Sequence, residues 1–343
     1  MTDFHTVDSR DEAPDRESRA SGARSLHEES LLIDFHTDLP SKLLQADSRD
    51  IARRREGGHV DLPRLREGGV DMVVMALFTP SGEKGNPVTR TLRQIDIVRS
   101  LVEANPGHLE IVRSAVEIEK ARARGRIGLL LSIENGVALG GSLEVLRCYY
   151  ALGVRAVGLV WNGRNELGDG VGEEQTGSRL TSFGRKVLEE MGRLGMLVDV
   201  SHLNAEGFWD VVESVPGPVI ASHSNARAIC AHRRNLDDDQ LRALARRGGV
   251  VGVNFNPPFL RDGNGACLED VVRHIEYMRD LIGIDAIGIG SDFDGIGSVP
   301  EGLEDPSKLP VLTEALQHGG FPEAHIRKIL GENFLRVIRE VLD

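Results

Sequence analysis

Ile127-Gly128-Leu129-Leu130-Leu131-Ser132-Ile133-Glu134 is an apolar run of strand length closed by a carboxylate. The same arrangement returns along the chain. His36 and Asp38 follow Ser30-Leu31-Leu32-Ile33-Asp34-Phe35, and His202 follows Met196-Leu197-Val198-Asp199-Val200-Ser201. His223 closes Val219-Ile220-Ala221-Ser222, and Asp292 closes Ala286-Ile287-Gly288-Ile289-Gly290-Ser291. One polar residue at one strand end is ordinary. His, Asp and Glu at the same structural place on successive strands imply a single site assembled from many strands, and imidazole with carboxylate suits zinc or a similar divalent ion.

Outward from these runs, short β-branched segments near 31–36, 70–78, 126–134, 154–160, 196–202, 218–223, 249–255 and 286–292 alternate with helical patterns at 89–104, 143–152, 182–194, 237–246 and 268–281. About eight β/α units of this kind predict an α/β fold, the closed (β/α)8 TIM barrel of the metal-dependent hydrolase type. Gly68-Gly69, Gly248-Gly249 and Gly283 fall where helices should end before the next strand. A closed barrel brings the strand ends together on one face. An open doubly wound sheet, the competing arrangement, would spread them along a line.

The 343 residues, 40% of them hydrophobic, are enough for one large domain, and residues 31–343 are read as a single barrel. A net charge of -12 and a pI near 5.5 argue against nucleic acid or an anionic membrane as the main partner. Cys148, Cys230 and Cys267 are odd in number and far apart, which suggests neither disulfides nor a thiolate metal site and fits a cytoplasmic location. Residues 1–30 are rich in Asp, Glu, Arg and Ser with few apolar side chains. They read as a disordered polar extension whose removal should cost little stability. They lack the apolar stretch of a secretory signal, and no later run has the length of a membrane helix.

His36-Thr37-Asp38 spaces two ligands so that both can point the same way from a strand end. Position gives this short motif its weight: Asp3-Phe4-His5-Thr6 repeats the text of Asp34-Phe35-His36-Thr37 with no strand before it, and His5 receives no role. Glu134 has two oxygens and can bridge two cations. His202 and His223 lie 21 residues apart, one β/α unit, which places them on neighbouring strands. Asp292 and Asp294 share a parity, with Asp292 the better candidate for proton transfer and Asp294 for capping or orienting. In Arg233-Arg234-Asn235 a fixed guanidinium suits bidentate capture of a carboxylate.

With these residues in place, the chain from about Leu31 onward resembles the membrane (renal) dipeptidase family, zinc peptidases of the amidohydrolase superfamily. The resemblance is carried by His36-Thr37-Asp38-Leu39-Pro40, Ile133-Glu134-Asn135-Gly136, Asp199-Val200-Ser201-His202, Ser222-His223-Ser224, Arg233-Arg234-Asn235, Ser291-Asp292-Phe293-Asp294-Gly295, Pro300-Glu301-Gly302-Leu303-Glu304-Asp305 and Gly331-Glu332-Asn333-Phe334. It implies two zinc ions per chain, one on His36 and Asp38, the other on His202 and His223, with Glu134 bridging. It further implies that Asp292 handles protons and Arg234 takes the free C-terminal carboxylate of a dipeptide, with tolerance of a D-residue there.

The chain departs from the family's pattern after the 154–160 segment. Many members carry a substrate-contacting His there; this chain reads Val160-Trp161-Asn162-Gly163-Arg164. Indole donates one hydrogen bond but cannot titrate or ligate, so Trp161 and Asn162 become the substrate-contact candidates, with Asn162 or Arg164 as substitutes for polarising the scissile carbonyl. The partners expected are a small dipeptide and no nucleic acid or membrane, with a homodimer as the assembly to test. The alternatives are a related hydrolase of a non-peptide amide or lactone, a binding protein without turnover, and a Schiff-base enzyme. The last lacks a lysine at a strand end, since Lys42, Lys84, Lys120, Lys186, Lys308 and Lys328 fall in predicted loops or helices.

Overall fold

Nine parallel strands carry the fold in a computed structural model that describes residues 16–82, 85–263 and 265–343. They are β1 (Ile33–Thr37), β2 (Met72–Phe78), β3 (Leu109–Ile111), β4 (Ile127–Glu134), β5 (Val154–Gly158), β6 (Leu197–Asp199), β7 (Ile220–Ala221), β8 (Val250–Val253) and β9 (Ile287–Ile289). Eight of them close a ring, β1-β2-β4-β5-β6-β7-β8-β9, with β9 pairing back onto β1. An open sheet would leave two edges; this ring leaves none. β3 stands outside the ring. It pairs with Ile127 to Leu129 at the start of β4, below the point at Leu131 where β5 joins the same strand.

Helices α1 (Arg16–Glu29), α2 (Leu39–Gln45), α3 (Leu62–Glu67), α4 (Pro87–Ala104), α5 (Ala115–Ala123), α6 (Leu143–Leu152) and α7 (Ser182–Leu194) accompany the first strands. α8 (Ala205–Ser214), α9 (Asp238–Arg246), α10 (Pro257–Leu260), α11 (Leu268–Ile282), α12 (Leu309–His318), α13 (Glu323–Arg327) and α14 (Asn333–Leu342) follow. The predicted helices at 143–152 and 182–194 coincide with α6 and α7, and Gly68 and Gly283 are helix C-caps as expected. β3 and α5 were not foreseen. A three-residue strand has no visible period, although Ser114 does cap α5 by accepting the Glu117 amide.

Alternation along the strands separates two apolar regions. Ile33, Phe35, Met72, Val74, Leu130, Ala156, Leu197, Ile220 and Val250 fill the barrel interior, and Phe334 of α14 closes it by stacking on Phe35 at a centroid distance of 3.9 Å. The opposite parity, with residues such as Val73, Leu129, Val198 and Val251, packs under the surrounding helices.

The reading of residues 1–30 as a detached extension requires correction. Residues 1–15 lie outside the described residues, but α1 packs on α12, with Ala23, Leu26 and His27 buried. His27 Nδ1 lies 2.7 Å from Thr313 Oγ1, and Nε2 lies 3.0 Å from the Gly68 carbonyl. Two small apolar residues and a histidine in a charged background hide an amphipathic face from any composition measure. Burial of one leucine is worth about 2–3 kcal/mol, so Leu26→Ala should lower the urea midpoint by roughly 1 M at ordinary m-values. An unchanged midpoint would return α1 to the status of a loose tail.

Candidate metal centre

The ligand candidates sit at or just beyond the C-terminal strand ends, where the chain must turn at once. Asn135, His202, Asp292 and Asp294 take the turn with φ of 80°, 70°, 66° and 67°. This left-handed region is sparsely used outside glycine and is tolerated best by Asn, Asp and His. Neighbours hold each turn in place. The Asn135 side chain donates to the Thr79 carbonyl at 2.8 Å. Val171 N donates to the His202 carbonyl at 2.8 Å, and Asp292 N donates to the His36 carbonyl at 3.0 Å.

His36, Asp38, Glu134, His202, His223 and Asp292 all converge, and all are buried except the half-buried Asp292. Glu134 stands between two groups. Its Oε2 is 3.5 Å from His36 Nε2, which also faces Asp38 Oδ2 at 3.4 Å and Asp292 Oδ1 at 4.0 Å. Its Oε1 is 3.1 Å from His202 Nε2 and 3.9 Å from His223 Nε2.

Proton bookkeeping shows what this convergence suits. His202 Nδ1 lies 2.9 Å from Asn162 Oδ1, an acceptor, so the ring proton sits on Nδ1. His223 Nδ1 lies 2.7 Å from Ser222 Oγ, whose hydroxyl donates to the Asp199 carboxylate; Nδ1 is therefore again the donor. Both Nε2 atoms are left as bare lone pairs, yet they face each other at 2.9 Å beside a carboxylate oxygen. Three acceptors with no proton among them repel unless a cation joins them. His36 Nε2, buried and without a hydrogen-bond partner, presents the same demand to the other oxygen of Glu134. The residues fit a divalent ion at each side of Glu134 in donor type.

The titration preferences agree. Burial, reinforced by the charge of Arg234, pushes His202 down to about 3, and burial with His36 nearby holds His223 well below the usual range, so both are neutral as ligands must be. Burial and then the charge of Glu134 push Asp38 up to about 7; burial pushes Asp292 up to about 6 although His36 opposes it. Burial alone would lower His36 as well, but Glu134 and Asp38 outweigh it and attract a proton to the place a cation would take. For Glu134 burial acts upward, and His36 and His202 more than reverse it.

The site opens into a cavity of about 460 Å³ whose walls include Asp38, Glu134, Phe78, Trp161, Asn162, Arg234, Phe259 and Asp292. Arg234 is buried, donating from Nη2 to the His223 carbonyl at 3.1 Å and lying over the Phe259 ring. Trp161 packs edge-on against Phe78 and beside His202. Arg164 is not at the site: its guanidinium is tied to Asp169 at 2.6 and 2.8 Å on an exposed loop, which removes it as a carbonyl-polarising group. Asp294 lines the cavity but turns its Oδ1 to the His59 amide at 2.6 Å while its own amide donates to His59 Nδ1 at 2.9 Å. It staples the loop before α3 over the site. Asn254 was overlooked in sequence; its Nδ2 donates to Asp292 Oδ2 at 3.0 Å, and its place just past the end of β8 was the available signal.

A closed parallel barrel with histidines and carboxylates converging at the C-terminal strand ends defines a metal-dependent hydrolase. The model of the membrane dipeptidase family (peptidase family M19) matches residues 20–343, and the chain belongs to that family. It is 37% identical over 320 residues to Dipeptidase 3 of Mus musculus, covering 90% of this chain and 64% of the mouse protein. An uncharacterised protein from the pqqA 5′ region of Klebsiella pneumoniae is 39% identical over 266 residues, 75% of this chain and 98% of that one. A metallopeptidase of Rhodobacter sphaeroides, crystallised with a phosphinate mimic of the dipeptide L-Ala-D-Ala, superposes with a TM-score of 0.85 at 30% identity over 92% of this chain and 100% of that one.

A carboxyl raised to about 7 at Asp38 means that in the ion-free protein a proton competes with the cation at lower pH. Ion affinity should therefore weaken by up to about tenfold per unit as pH falls from roughly 7 to 5. Chelator competition across that range measures it; a flat profile would take Asp38 out of the ligand set.

Proposed function

We propose that this metal-dependent dipeptidase of the membrane dipeptidase family uses two zinc ions and hydrolyses dipeptides that carry a free C-terminal carboxylate, a D-residue being accepted at that position. The observation carrying the proposal is the placement of Glu134, one oxygen toward His36 and Asp38 and the other toward the bare Nε2 atoms of His202 and His223. His36 and Asp38 would hold one ion, His202 and His223 the other, and Glu134 both. When bound, the ions would supply Lewis acidity at the scissile carbonyl.

The chain's own groups account for the remaining chemistry. Asp292 points Oδ1 toward the ligand cluster while Asn254 fixes Oδ2, so one oxygen is free to take a proton from the attacking water and return it to the leaving amine. Arg234, over the Phe259 face, would pair with the terminal carboxylate in a fork that a longer peptide could not offer at the same depth. Phe78 and Trp161 form an apolar wall that supports substrate contact without supplying a proton. Asn162, bonded to His202 Nδ1, serves the ligand first and reaches substrate only through its amide nitrogen.

The solved relative that holds an L-Ala-D-Ala mimic supports the D-residue proposal. Among the described residues no helix is long and apolar enough to cross a membrane. The three cysteines are unpaired, which supports a reducing, cytoplasmic setting. Homodimeric assembly belongs to the same proposal and is read by sedimentation of the purified protein.

Elemental analysis of protein purified without chelator should give two zinc ions per chain, and His202→Ala or His223→Ala should lower that number together with turnover. Full activity without metal would overturn the reading. Asp292→Asn should lower kcat by about 10²-fold or more with the ions retained. Arg234→Met should raise KM for free L-Xaa-L-Xaa and L-Xaa-D-Xaa dipeptides and leave their C-terminal amides nearly unchanged, because only the former lose a charge-assisted contact. Equal damage to both substrate types would refute the carboxylate-anchor role of Arg234, and no activity on any free-carboxylate dipeptide would favour a non-peptide amide or lactone.

A further inference from the structure

Asp199 is buried inside the barrel two residues after Leu197 on β6, and Ser222 lies two residues after Ile220 on β7, so both point inward above the apolar interior. Asp199 Oδ1 accepts the Ser201 and Ser222 amides at 2.9 Å each, and Oδ2 accepts the Ser222 hydroxyl at 2.5 Å. The remaining lone pairs of Ser222 Oγ meet His223 Nδ1 at 2.7 Å and Ser201 Oγ at 3.3 Å. Ser201 Oγ itself accepts the His223 amide at 3.2 Å, which leaves its proton for Ser222. Every hydroxyl and ring Nδ1 proton of the group is thereby assigned in one orientation. Were Ser222 to donate to Nδ1 instead, a buried carboxylate oxygen would lose its only donor, at a large cost.

We infer that Asp199 acts on His223 through the Ser222 hydroxyl: the pair is a positioning relay that keeps the ring proton on Nδ1 and holds a bare Nε2 toward the ion shared by His202 and His223. The inference rests on the two-ion reading above. Direct carboxylate-to-histidine bonds are a common support of metal ligands; here a serine is interposed, and the carboxylate polarises the hydroxyl that polarises the ring. His202 has only a neutral amide oxygen, Asn162 Oδ1, in the corresponding place. The two histidines therefore differ in the charge of the group that stands behind the ring. The backbone beneath fixes the relay, since a Cβ on Gly252 or Gly290 would lie 2.1 or 1.8 Å from the Ser222 carbonyl oxygen.

The test is stepwise zinc affinity of the demetallated full chain, read by chelator competition, with the spectrum of the cobalt-loaded protein as a second readout. Ser222→Ala should weaken one of the two ions by about 10- to 100-fold and leave the other within about twofold. Ser222→Thr, which keeps the hydroxyl, should restore most of the loss. Asp199→Asn should reproduce the Ser222→Ala loss, and the double variant should show no further drop. Ser291→Ala serves as a control: it removes an equally buried Ser-to-Asp bond, Ser291 Oγ to Asp34 Oδ2 at 2.5 Å, that touches no imidazole. It should leave the affected ion of the Ser222 variants at full affinity. Loss of both ions alike, no loss in Ser222→Ala, or additive losses would overturn the relay. Should Asp199→Asn fail to fold, the Ser222 alanine and threonine pair decides alone. Wild-type protein taking up a single ion would overturn the two-ion reading instead, and the same alanine and threonine comparison would then test the relay on that ion.

Discussion

Two imidazole nitrogens facing each other across 2.9 Å with no proton between them are the constraint on which the site depends. Two bare acceptors at that distance repel, and each ring is held in its orientation from behind, His202 by Asn162 and His223 by Ser222. The ring orientations set by Asn162 and Ser222 turn both Nε2 atoms toward Glu134 Oε1, an arrangement of acceptors that suits a cation. Glu134 extends the same logic to the other half of the site, where the partnerless His36 Nε2 meets three carboxylates within 4.0 Å.

The barrel makes room for this by changing character with height. Its lower interior is filled by Phe35, Met72, Leu130, Leu197, Ile220 and Val250 and closed by Phe334. One step higher on the strands, inward positions become small or polar, with Ser132, Gly158, Asp199, Ser222, Gly252 and Gly290. Close approach of Gly252 and Gly290 to the Ser222 backbone lets neighbouring strands converge there, and the hydrogen-bonded Asp199 and Ser222 occupy the space that larger side chains would have taken. An apolar floor, a polar supporting layer and the ligand candidates therefore follow one another up the barrel.

What the sequence revealed follows from this layering. Candidate site residues at the ends of apolar runs were legible because a strand end is marked on one side by the run and on the other by a turn, and His36, Asp38, Glu134, His202, His223 and Asp292 come together in space. The closed ring was legible from the count and spacing of β/α units. α1 was not, because its buried face amounts to Ala23, Leu26 and His27 among charges, and its partner α12 is some 290 residues away along the chain. Arg164 and Asn162 looked interchangeable in sequence because nothing local tells which of two polar residues on either side of Gly163 turns inward. Asp169, five residues on, settles it by claiming the guanidinium.

That claim also explains why the corner bearing Trp161 can differ from the family's pattern without disturbing the metal ligands. The loop after β5 is fixed by Arg164 on Asp169, by Asn165 on Asn135 Oδ1 and the Leu159 carbonyl, and by Gly172 N on the Asn162 carbonyl at 2.7 Å. Asp169 in turn accepts the Thr176 hydroxyl, and its carbonyl accepts the Asn204 amide next to the His202 turn. Position 161 therefore projects from a frame whose rigidity comes from its neighbours, and its own side chain bears no part of that load. A titratable ring there would add a proton donor to the cavity; an indole adds an apolar wall against Phe78. The indole N–H can donate a hydrogen bond at this corner but cannot transfer a proton, so under the proposed function proton transfer is left to Asp292.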